Sequence, residues 1–460
     1  MFQRKEKAEN CYYPTFLCMD VDAPDDVLDI CHRRKYHMTE AAFLHEYIHY
    51  LQDITTLSGY VKIGTIVDQV KWVVNKKKGK LRIPYDTSST YLYNIYPNAE
   101  CMRFSAGRFN FKDANGNSIQ TDITRVIHFQ SRRHQIKVAS RRDKFDFNEA
   151  ILIFEDQFGI RREYEVGEYA ISESMAYMIE QSAYKSVLPL NNDCPYMVVE
   201  KIVEHECPQA HNRLTMIAIC DVCLNYPFPG EMFYAIVQKL KDEQNVTPAL
   251  IYIMWKVGSF GDVRSYKNSW EIDSAKAHDE AIKQIGAYFL HEFWDATKDA
   301  ALASLKAGWD LRQNNPTLFL DIAIGGPLWL NMAFSNSLSL CGCMCVRTSN
   351  NDVRYMPPKS ALSKEIRADT FVCLLELYQI LLTNKAIKDT RIGKKLSFKC
   401  SLKPWCSKCF NELGVEDITT TTYNCSDSPW ENSLPDYRTQ CEFGRLWFAY
   451  KLGKPKPRIK

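Results

Sequence analysis

The chain has 460 residues, 46% of them hydrophobic and 25% charged, which is the balance of a folded globular protein and excludes extensive disorder. Its 58 Lys plus Arg nearly cancel its 55 Asp plus Glu, and the net charge of +3 gives no overall pull toward nucleic acid or acidic lipid. The 17 cysteines predict a reducing, cytoplasmic compartment, in which buried thiols behave as small apolar side chains.

The length suits two to four domains, or one large domain with insertions. The start, MFQRKEKAEN, is charged, and no apolar run of signal-peptide length follows it. The most apolar stretch, 322–334, contains Gly325, Gly326, Pro327 and Asn331, so neither a membrane span nor a membrane partner is expected.

In chain order, a helical pattern runs from Thr39 to Leu57 with Gly59 as its stop, and Val61–Val74 reads as a second helix. Segment 81–166 changes character. Arg103–Phe111 and Ile119–Phe129 read as strands around the turn Asp113–Asn117, and Phe147–Phe154 and Ile160–Val166 as a second pair around Asp156–Gly159. Helix returns over Glu168–Val187 and Pro189 closes it. Stretches 196–206, 210–224, 231–243, 247–256, 273–307, 360–384 and 442–451 read as further helices, and 385–441 as loop. The expected class is α+β, predominantly α.

The first helix carries His45-Glu46-Tyr47-Ile48-His49, an HExxH pattern. Residues i and i+4 lie one turn apart on one helical face, so His45 and His49 can present two imidazole nitrogens to one Zn²⁺. Glu46 lies about 100° round the helix from His45, where it suits a general base better than a ligand. No Pro or Gly interrupts residues 39–58. Two histidines and Gln52 on an otherwise apolar helix need polar partners if they are buried, and a metal ion supplies one.

Such a site needs a third protein ligand. No Glu occurs between Glu46 and Glu100, and Gln52 and Thr55 stand where a third-histidine pattern needs Gly and His. Asp68, in Gly64-Thr65-Ile66-Val67-Asp68, is one candidate. The favoured ligand is Glu173, on a helix that also carries Ala176, Tyr177 and Glu180 along one stripe, where small Ala176 lets the helices approach. Glu165 and Glu168 are fallbacks. Gln52 suits a supporting hydrogen bond one turn below His49, and Tyr177, His128 and Tyr184 are candidate donors to a developing oxyanion.

His45-Glu46-Tyr47-Ile48-His49, followed by a helix with Glu173-x-x-Ala176, resembles the glutamate-ligand zincin metallopeptidases (gluzincins). The resemblance covers two short helices, with Glu173 placed 124 positions after His49 where thermolysin-like members have a short spacing. It implies a zincin-like catalytic core with a small, mostly antiparallel sheet. It also implies catalytic Zn²⁺ on His45, His49 and Glu173, Glu46 as base, and a protein or peptide substrate. The core is expected over 1–190, with 81–166 a strand-rich insertion carrying part of the sheet. A helical region over 191–395 would serve substrate selection or a regulatory protein partner.

A Cys-rich segment with a basic tail fills 396–460. There Cys406 and Cys409, with two of Cys400, Cys425 and Cys441, form a candidate structural zinc site. Cys341, Cys343 and Cys345 alternate as on one strand face, and Cys220 and Cys223 form a lone CxxC. The competing readings are a zinc-stabilised scaffold without hydrolytic activity, and a zinc amide hydrolase acting on a non-peptide substrate.

Overall fold

A computed structural model describes residues 10–13, 16–22, 37–75, 92, 95, 99–112, 118–137, 144–184, 193–260, 270–289, 294–348, 353–361, 370, 371 and 374. The fold is α+β and mostly helical. Strands β1 (Asn10–Tyr13) and β2 (Cys18–Val21) precede helices α1 (His37–Thr55), α2 (Leu57–Asn75) and α3 (Ala99–Ala106). Strands β3 (Phe111–Lys112), β4 (Ser118–Ile119), β5 (Arg125–Lys137), β6 (Lys144–Glu155) and β7 (Arg161–Val166) follow. Next come α4 (Glu168–Ala183), α5 (Val198–Glu206), α6 (Arg213–Leu224), α7 (Pro229–Leu240) and α8 (Pro248–Lys256). Then come α9 (Trp270–Tyr288), α10 (Asp295–Asn314), α11 (Leu318–Ile324) and α12 (Met332–Cys341), before β8 (Cys343–Arg347) and β9 (Val353–Met356). No helix among the described residues is long and apolar enough to cross a membrane.

Helix α1 is a core helix. Phe43, Leu44, Tyr47, Ile48, Tyr50, Leu51 and Ile54 are all buried, so its sides are covered all round. It stops at Thr55, and Thr56 makes the bend. The Thr56 hydroxyl donates to the Gln52 carbonyl at 2.7 Å and accepts the Gly59 N–H at 3.2 Å, which satisfies groups that the broken helix frees. Gly59, expected as the stop, instead lies inside α2. A Cβ there would stand 2.3 Å from the Asp53 carbonyl oxygen, so the tight return of α2 needs glycine.

Beside α1 lies a four-stranded sheet in the order β1-β2-β8-β9, with β2 and β8 parallel and the other two pairs antiparallel. Tyr47 and Tyr50 donate to the carbonyls of Gly342 and Cys341 at 3.1 and 2.9 Å, tying α1 to the chain that enters β8. Strands β1 and β2 therefore share one sheet with β8 and β9, and one core with the helices between them. Within 81–166 the described strands form two separate sheets, β3-β4 and β5-β6-β7.

Two expectations are corrected. Residues 103–106 are helical: Cys101, Phe104 and Ser105 are buried at a spacing of three to four, and the Ser105 hydroxyl reaches the Pro227 carbonyl at 2.6 Å. Cys341 ends α12, and Gly342 (φ 70°) turns the chain before β8, so only Cys343 and Cys345 share that strand.

Helix α4 packs antiparallel to α1. Tyr184 donates to Glu40 at 2.8 Å, His45 meets Glu180, and Gln52 donates to the Ser172 carbonyl at 3.1 Å. On another side α10 approaches α1 at Gly308, where a Cβ would stand 2.3 Å from the Ile54 carbonyl oxygen. Gly308→Ala must push these helices apart and should cost about 1–3 kcal/mol, read as a lower urea midpoint at unchanged slope.

Candidate metal centre

The α1–α4 contact brings three ligand atoms to one point. His45 Nε2 lies 3.2 Å from Glu173 Oε2, His49 Nε2 lies 3.3 Å from the same oxygen, and the two Nε2 atoms are 3.2 Å apart. Each imidazole has its other nitrogen occupied. His45 Nδ1 is 2.9 Å from Glu180 Oε2, which can only accept from it while ionised. His49 Nδ1 is 2.8 Å from Gln52 Oε1, and the Gln52 amide nitrogen is committed to Ser172. Both Nδ1 atoms therefore carry the proton, and in the neutral rings both Nε2 lone pairs face the Glu173 carboxylate.

Three lone pairs at this separation repel unless a cation or protons lie among them. A triangle with edges of 3.2–3.3 Å is also one face of a tetrahedron whose centre is about 2.0 Å from each corner, the bond length of Zn²⁺ to His nitrogen and carboxylate oxygen. The residues fit the ion, and among the described residues they are the one such group that can hold a metal. Glu180 and Gln52 supply the hydrogen bonds that orient ligand imidazoles.

The electrostatics agree. Burial acts to raise the Glu173 carboxyl, but His49 and His45 outweigh it and hold the group well below the usual carboxylate range. Burial likewise disfavours charge on His45, yet Glu173 and Glu180 draw a proton onto it. Burial opposes charge on His49 too, and Glu173 overcomes it. Protons and a metal ion compete for these lone pairs.

Glu46 is buried beside the trio. Burial, only partly offset by His45 and His49, pushes its carboxyl up to about 7. The Tyr12 backbone N–H donates to it from β1, and the Tyr12 ring stacks near His49 with centroids 6.4 Å apart. The Tyr12 hydroxyl donates to Asp53 at 3.0 Å, and Lys62 bridges Asp53 at 2.9 Å and Glu168 at 2.6 Å. This buried network fixes the start of the sheet against α1 and α2.

The other expected residues divide. Glu168 serves Lys62, and Glu165 pairs with Arg103 and Arg108. Tyr184 is spent on Glu40 and on the Leu328 N–H. His128 stands exposed on β5, without a hydrogen bond to the trio. Tyr177 is half-buried at the rim. The side chain of Asp68, and Cys400, Cys406, Cys409, Cys425 and Cys441, lie outside the described residues, as do most of 360–384 and all of 385–451. Cys220 and Cys223 are buried in α6, where burial raises both thiols.

Two residues at the site escaped the sequence reading. Glu180 shares the helical stripe of Glu173 in the sequence, two turns on, but the sequence assigns it no role at the site. Tyr196 has no spacing that ties it to the motif, yet its ring lies 6.0 Å from that of His45. Burial first, then Glu173, Glu46 and Glu180, keep its phenol protonated by raising its pKa well above the usual value. Its hydroxyl has no hydrogen-bond partner among the described residues.

Comparison of the chain with protein-family models, with curated proteins and with solved structures finds no match. The site is therefore read on its own geometry. Glu180→Gln keeps the shape but loses the ionised acceptor, and should weaken Zn²⁺ binding about 10–100-fold in competition with a chromophoric chelator. His45→Ala should remove the ion altogether.

Proposed function

We propose that the chain is a zinc-dependent peptidase that hydrolyses a peptide bond in a protein target. The observation that carries this reading is the trio of His45, His49 and Glu173 ligand atoms with a buried carboxylate, Glu46, at the adjoining position of the same helix. When bound, Zn²⁺ would polarise the scissile carbonyl and make a water nucleophilic near neutral pH.

The chain's own residues do the rest. Glu46 takes a proton from the attacking water and returns it to the leaving amine. A carboxyl that burial has pushed up to about 7 is matched to both transfers near neutral pH. Tyr196, whose hydroxyl has no hydrogen-bond partner among the described residues, offers a hydrogen bond to the oxygen that becomes negative in the transition state. Among the described residues strand β1 pairs with β2 alone, and its Tyr12 N–H meets Glu46. An extended peptide laid along that edge runs past the base, held by main-chain hydrogen bonds. The α-helical surround beyond the trio suits selection of a narrow target or control by a protein partner.

Glu46→Gln should retain one Zn²⁺ per chain and lower kcat on a cleaved peptide at least about 10²-fold. Tyr196→Phe should lower kcat by about 10²-fold with KM little changed. Both are read by single-turnover cleavage followed by mass spectrometry, with metal content measured on the same samples. A Glu46→Gln protein that cleaves like wild type would end the peptidase reading.

A further inference from the structure

Tyr177 stands between Glu173 and Glu180 along α4, four residues after one and three before the other, so all three share the face turned to α1. Glu180 is buried, whereas Tyr177 is half-exposed, which puts its ring at the mouth of the cleft. The Tyr177 ring lies 6.1 Å from the Tyr196 ring, and Tyr196 lies 6.0 Å from His45. Two aromatic steps of about 6 Å thus lead from the metal trio to the surface. That reach matches a long side chain borne within about two residues of the reacting bond, at about 3.3 Å per extended residue.

The charges around this wall are unequal. Burial first, then Glu180, Glu200 and Asp193, raise the Tyr177 hydroxyl, and Arg213 alone opposes them. Asp193 is held in place by the Ile123 N–H at 2.8 Å, and its carboxyl is raised by burial, with Lys201 opposing and Asp122 adding to the rise. Glu200 has only a loose contact with His211, at 3.7 Å. Arg213 donates to the Gln181 carbonyl at 3.3 Å. Glu180 is already engaged by His45, so Glu200 and Asp193 are the carboxylates acting on Tyr177 that remain to outweigh Arg213. Aromatic faces in a negative field attract an ammonium or guanidinium group and repel a carboxylate.

We infer that Tyr177 and Tyr196, in the negative field of Asp193 and Glu200, form a subsite for a Lys or Arg side chain of the substrate, placed within about two residues of the scissile bond. This rests on the peptidase reading, because it takes the trio as the reaction centre. The subsite sets target choice: a basic residue is drawn toward the cleft mouth, and an acidic one is turned away.

The test uses the full chain carrying Glu46→Gln and loaded with Zn²⁺, so that peptides bind without turnover. Fluorescent decapeptides with a single Lys, Arg, Ala, Phe or Glu at successive positions are titrated by anisotropy. Lys and Arg peptides should bind about tenfold tighter than the Ala peptide at one or two positions, and the Glu peptide weaker, with the gap shrinking in 0.5 M salt. Glu200→Lys should reduce the Lys-to-Glu preference at least fivefold. Tyr177→Ala should reduce the Lys-to-Ala preference by a similar factor, and Tyr177→Phe, which keeps the ring, should restore most of it. Equal affinities, or a preference for Phe over Lys, would overturn the subsite. Wild-type cleavage of a denatured protein mixture, scored for neighbouring residues, separates the two claims. Cleavage without basic bias overturns the subsite alone, while zinc-loaded protein that neither binds nor cleaves any peptide overturns both.

Discussion

Repulsion among three lone pairs is the constraint around which this protein is arranged. His45 Nε2, His49 Nε2 and Glu173 Oε2 lie within 3.3 Å of one another, and the partners of the two imidazoles oppose relief of the conflict by ring rotation. Glu180 and Gln52 hold the imidazole Nδ1 atoms, and the Gln52 amide is bonded across to α4. Such a cluster costs free energy when it stands alone and is stabilised when a cation joins it, so folding and metal binding are linked.

The rest of the fold keeps the two helices at that separation. Gly308 lets α10 press against α1, and Gly59 lets α2 double back at its end. Tyr47 and Tyr50 bind α1 to the strand entry at 341–342, and the Tyr12, Asp53, Lys62 and Glu168 network binds it to β1. Burying Lys62 between two carboxylates is tolerable only because both partners are in place. The same network sets the Tyr12 N–H on Glu46, so the support for the fold and the support for Glu46 share residues.

The local part of this arrangement was legible in the sequence. His45, Glu46, His49 and Gln52 lie within two turns of one uninterrupted helix, and helical geometry alone ranks their roles. Glu173 was ranked above Asp68 by the small residue beside it, and the structure brings it to both histidines. The strands at 147–154 and 161–166 also announced themselves by apolar patterning. What sequence could not show is long-range. The β2–β8 pairing joins Cys18 to Cys345, with no local signal of register. Tyr196 reaches His45 only through tertiary packing. The error at Arg103–Ala106 is different in kind: a short run of Cys, Met and Phe fits helix or strand, and burial spacing decided for helix.

X-ray absorption at the zinc edge, on the full chain loaded with one equivalent of Zn²⁺, tests the central claim most directly. The account predicts a first shell of nitrogen and oxygen at about 2.0–2.1 Å with the outer-shell scattering of two imidazoles, lost in His45→Ala. A first shell dominated by sulfur at about 2.3 Å, unchanged in His45→Ala, would contradict it and assign the ion to cysteines instead.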